Sequence, residues 1–93
     1  MAAKRFVHVG FNFAVKQAPI QALEKTFNGA ADWLRYEDNC WILYTGVELD
    51  VWRDRIRKVV GENASFLLVE FDKDATSGYM HDWVWKWLAK PRT

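Results

Sequence analysis

Ninety-three residues suffice for one domain and not for two, since a chain of this size buries roughly two-thirds of its unfolded surface on folding. With 51% hydrophobic and 27% charged residues it can offset its ordering entropy, which excludes a disordered chain. A net charge of +1 excludes a strongly basic nucleic-acid binder while permitting a local basic patch, and a single cysteine, Cys40, excludes a disulfide scaffold or a cysteine-based zinc cluster.

The chain opens MAAKRFVHV, a small basic cluster followed by no apolar segment of signal-peptide length, and no run approaches the roughly 20 residues of a membrane span. A cytoplasmic chain with no membrane partner is the expectation. From Arg5 to Phe13 the pattern predicts a strand, with Val7, Val9, Phe11 and Phe13 on one face and Phe6, His8, Gly10 and Asn12 on the other. A helix follows from about Pro19 to Asn28, carried by Ile20, Leu23 and Phe27 and stopped at Asn28-Gly29. Asp32–Glu37 and Cys40–Thr45 read as two strands of a hairpin turning at Asp38-Asn39.

After Gly46, Asp50 suits an N-cap, and Trp52, Ile56, Val59 and Val60 form the stripe of a second helix ending at Gly61. Ala64–Phe71 is a short apolar run, expected as a largely buried strand, and Asp72 to Gly78 is a polar loop. Met80, Trp83, Val84, Trp87 and Leu88 then predict the inner face of a third helix, with Asp82, Trp85 and Lys86 opposite and Pro91 beyond its end. The order is β-α-β-β-α-β plus a C-terminal helix, the arrangement of an α+β ferredoxin-like antiparallel sheet, in one domain spanning 1–93.

The stretches WLRYEDNCWILYTG, WRDRIRKVV, SFLLVEF and SGYMHDWVWKWL together resemble the small bacterial proteins labelled SinR-like, which are similar in fold to the CRISPR-associated spacer-acquisition endonucleases. The resemblance covers most of the chain and implies a ferredoxin-like homodimer. In those nucleases an aspartate at the end of the first strand is the expected metal ligand. The matching run here is Gly10-Phe11-Asn12-Phe13, which puts Asn12 at that position. An amide is a weaker ligand than a carboxylate for a hard divalent cation, so the resemblance implies a protein without the nuclease's metal, cofactor or catalysis.

Other chemistry-bearing residues are read structurally. His8 and His81 are the candidate acid–base groups, but no nucleophile is spaced to complete a triad. Cys40 begins a strand and is expected to pack as a small apolar group. Glu70, Asp72 and Asp74 lack the ligand count of a calcium loop and read as a solvated acidic turn. Arg53, Arg55, Arg57 and Lys58 on the outer face of the second helix are the alternative nucleic-acid site, with Asp54 four residues before Lys58.

Six tryptophans are the largest anomaly. The sheet face opposite Val7 and Val9 is expected to carry Phe6, His8, Phe66 and Leu68, with Trp33 and Arg35 beside them. Such a face would be covered by the last helix, covered by a second copy, or left to stack bases. Trp85, opposite the helix stripe, is expected as an exposed anchor, so the partner-binding set is Trp85, Trp33 and Arg35. The functional expectation is a small non-catalytic binding protein whose partner is another copy or another protein, with a nucleic-acid-binding or nuclease domain as the alternative.

Overall fold

The computed structural model describes residues 3–14 and 17–92, so the first two residues of the basic opening lie outside it. Its elements are β1 (Arg5–Phe13), α1 (Ile20–Phe27), β2 (Asp32–Glu37), β3 (Cys40–Thr45), α2 (Leu49–Val60), β4 (Ala64–Phe71) and α3 (Asp82–Ala89), with a 3-10 turn at Lys73–Ala75 inside the expected loop. The fold is α+β. Its four strands form one sheet in the order β2-β3-β1-β4, and every neighbouring pair is antiparallel. β1 and β2 therefore run in the same direction with β3 between them, and β3 and β4 do so with β1 between them.

Strand alternation builds two cores. Val7, Val9 and Phe11 of β1 and Trp41 and Leu43 of β3 share one face, where they pack on Leu23 and Phe27 of α1 and Trp52, Ile56 and Val60 of α2. The Trp41 indole donates to Glu24 Oε2 at 3.3 Å, tying α1 to the sheet. The opposite face carries Phe6, Leu34 and Ile42, on which Val84 and Leu88 of α3 are buried. Full burial of such aliphatic side chains contributes roughly 1.5–3 kcal/mol each, which seats an eight-residue helix too short to persist alone.

Four local expectations change, the first being that β4, expected as largely buried, is an edge strand with no fully buried residue. Helix α2 starts at Leu49 with Glu48 as its cap, so Asp50 lies in the first turn and not at the cap, where its carboxylate favours the positive helix end. Gly61 ends that helix at φ 58 and ψ −130, a positive-φ conformation outside the expected αL basin and open chiefly to glycine. The hairpin turn uses no positive-φ residue, because Asp38 and Asn39 supply no glycine. A register irregularity between Arg35 and Glu37 accompanies it, and Arg35 Nε and Nη2 donate to the Asp38 carbonyl at 3.1 and 2.6 Å.

The expected membership of the second face is corrected at four positions. Phe66 pairs with Phe11 and Leu68 with Val9, so both point toward α1 and α2. Trp33 pairs with Leu43 and Arg35 with Trp41, which places them on that helix-covered face as well. Cross-strand partners point to the same side of a sheet, so pairing register, which alternation within one strand does not reveal, decides the face.

Candidate functional site

The partner-binding residues expected from the sequence are largely committed inside the chain. Trp33 is half-buried, its indole donating to Asn28 Oδ1 at 2.9 Å, and the Arg35 guanidinium lies 5.2 Å from the centre of the Trp41 ring. Trp85 is half-buried against the second core, with its six-membered ring beside Gly78, where a Cβ would stand 3.9 Å from Cζ2. Trp83 is the exposed one of the three tryptophans of the helix, at 49%. The reason is rotational. Leu88 stands about 40° round the helix from Val84 on the Trp85 side, so the buried stripe leans toward Trp85 and carries Trp83 away from the sheet.

The four cations of α2 separate into two groups. The Arg55 guanidinium is 5.1 Å from the centre of the Trp52 ring. Arg53, Arg57 and Lys58 instead line a groove of about 840 Å³ between α2 and the start of β4, whose other wall is Ala64, Ser65 and Phe66. Asp54 pairs with Arg53 at 3.2 Å, in place of the expected contact with Lys58.

Beside this groove runs the outer edge of β4. Edge strands are commonly guarded by charge, proline or a bulge, because their free N–H and C=O groups invite another strand. β2, the other edge, carries Asp32, Arg35 and Glu37 and has the irregular register. β4 is eight residues long, keeps an unbroken register on β1, and bears one charge, Glu70, which also pairs with Arg5 Nε at 3.1 Å. Leu67 and Val69 stand exposed along it at 67% and 42%. These two residues were missed in the sequence, although Ser65, Leu67 and Val69 alternate against Phe66 and Leu68 there.

On the second face, a cavity of about 380 Å³ lies between the sheet, the 76–80 loop and α3, lined among others by His8, Tyr36, Val69 and Trp85. His8 Nε2 and the Tyr36 hydroxyl are hydrogen-bonded at 2.5 Å. Burial lowers the His8 pKa from 6.5, so the imidazole is neutral at neutral pH. Burial also pushes the Tyr36 hydroxyl up to about 12, with the Cys40 side chain and the Glu37 carboxylate adding to the effect. His81 occupies the N-cap position of α3 without a side-chain cap bond and lines a separate depression with Tyr79 and Asp82, so the two histidines share no site.

The remaining candidates have local roles or stand apart. Asp72 Oδ1 accepts from the Asp74 N–H at 2.9 Å and caps the 3-10 turn. Asn12 is exposed and pairs with Ser65 at the end of the second face that α3 leaves bare, where Gly10, Cys40 and Leu67 also lie. Among the described residues, no three His, Cys, Asp or Glu side chains are grouped to hold a metal ion, and no helix is long and apolar enough to cross a membrane. No family model, no curated protein and no solved structure matches the chain.

Proposed function

We propose that this chain is a non-catalytic binding protein with a ferredoxin-like sheet and an added C-terminal helix, and that it pairs with a second copy of itself along the outer edge of β4. The unguarded apolar edge carries the reading. Two copies of one strand pair antiparallel about a two-fold axis, and directly opposed residues must point to the same face. With the two eight-residue strands overlapped as fully as this allows, the axis passes at Leu67 or Leu68, which sets Glu70 opposite Ala64 or Phe66 of the second copy. Those residues wall the groove of Arg53, Arg57 and Lys58, so the only charge on the strand meets a groove in which Asp54 already pairs with Arg53 and Arg57 and Lys58 leave a positive excess.

This reading keeps the SinR-like resemblance as one of fold and subunit pairing, and Asn12 in place of an aspartate leaves nuclease chemistry out of it. Sedimentation velocity on the wild-type chain is expected to give a dimer, and Leu67→Lys a folded monomer, because Leu67 is exposed in the single chain. A wild-type monomer at all accessible concentrations overturns the reading.

The basic groove favours a second reading, nucleic-acid binding by Arg53, Arg57 and Lys58, with Arg55 withdrawn onto Trp52. Its mark is saturable binding of single-stranded RNA or duplex DNA at about 50 mM salt that weakens sharply at about 200 mM. Loss of that binding in Arg57→Ala identifies the groove.

A further inference from the structure

The cavity on the second face shares Val69 with the β4 edge and otherwise lies apart from it, and its lining is selective. His8, Ile42 and Val69 lie side by side on three strands as its floor, Trp85 and Leu88 form its helical wall, and the 76–78 loop forms its rim. An enclosed space of about 150 Å³ holds one benzene ring, so about 380 Å³ has room for two or three fused or linked rings. None of the lining side chains carries a formal charge at neutral pH, so an ionic ligand would be desolvated without a counter-charge.

The hydrogen-bonding end narrows the ligand further. A tyrosine hydroxyl has one donor and two acceptor positions. If it donates to His8 Nε2, its oxygen can still accept; if it accepts from the imidazole, its own hydrogen is free to donate. A ligand hydroxyl serves either arrangement, being donor and acceptor at once, whereas a carboxylate only accepts and brings a charge.

We propose that this cavity binds a small neutral aromatic alcohol, its rings against Val69 and Trp85 and its hydroxyl joined to the His8–Tyr36 pair. The test is a titration of the full chain with 2-naphthol and with 2-naphthoate, followed by amide chemical shifts. The expected result is saturable 2-naphthol binding with shifts at His8, Tyr36, Val69 and Gly78, and binding of 2-naphthoate weaker by about tenfold or more. Tyr36→Phe is expected to weaken 2-naphthol by about three- to tenfold, the effect of one hydrogen bond. Trp83→Ala, an exposed position outside the lining, should bind as the wild type does, and a wild type that binds 2-naphthol while sedimenting as a monomer separates the cavity from the edge pairing. No saturation within the solubility of 2-naphthol overturns the proposal. So does equal affinity for the two ligands, a comparison on the wild-type chain that holds even if Tyr36→Phe fails to fold.

Discussion

The Trp52 indole nitrogen lies 3.2 Å from Thr45 Oγ1, and both residues are fully buried. The same oxygen accepts from the Val47 N–H at 3.0 Å, so one hydroxyl at the end of β3 satisfies one donor in the following loop and one in the first turn of α2. Thr45→Val keeps the shape and increases hydrophobicity, yet leaves those donors without their acceptor. It is expected to destabilise the chain by about 2–4 kcal/mol, measured as a lower urea midpoint with unchanged slope. A neutral or stabilising effect would mean that water reaches the site.

The tryptophans separate by position. Trp52→Ala removes a fully buried ring and is expected to cost about 3–5 kcal/mol. Trp83→Ala, at a site 49% exposed, is expected to stay within about 1 kcal/mol, with Trp85→Ala between the two because its ring covers part of the second core. Thermal melts of the three variants check the order. A loss at Trp83 equal to that at Trp52 would contradict the rotation of α3.

Two opposite pH limbs follow from the His8–Tyr36 pair. Burial holds the His8 pKa below 6.5, so the unfolded chain binds the proton more readily. Stability from this group is complete above 6.5 and is lost as pH falls through the lower folded value. The Tyr36 pKa is raised from 10.0 to about 12, so its contribution is complete below 10.0 and is lost as pH rises toward 12. Urea midpoints at about pH 7.5 and 5.5 are expected to differ more for the wild type than for His8→Gln, which has no proton to bind there. In an ultraviolet titration, Tyr36 should ionise well above 10.0, with an absorbance step that Tyr36→Phe removes.

The four strands were legible in the sequence because β1 alternates along its length and glycine, asparagine and aspartate bound the other three runs, and each strand keeps its expected limits. What alternation cannot supply is relative phase. Nothing within SFLLVEF says whether Phe66 or Leu67 faces the same way as Val9; only the pairing of Leu68 with Val9 does. Helix α3 failed differently. Three tryptophans on eight residues make almost any facing look apolar, and only contact with Phe6 and Ile42 selects Val84 and Leu88. The groove was half-legible: the cations of α2 were evident, but not the separation of Arg55 from the other three. The cavity was not legible at all, since His8 and Tyr36 stand 28 residues apart on strands that are not neighbours.

The strand order also has a consequence for how the chain comes together. β1 and β2 do not touch edge to edge, and neither do β3 and β4; each of the three ladders joins a strand before the hairpin turn to one after it. A chain severed at Asp38-Asn39 would therefore yield two pieces of which neither holds a strand ladder of its own. The halves are complementary fragments, each the template on which the other becomes a sheet.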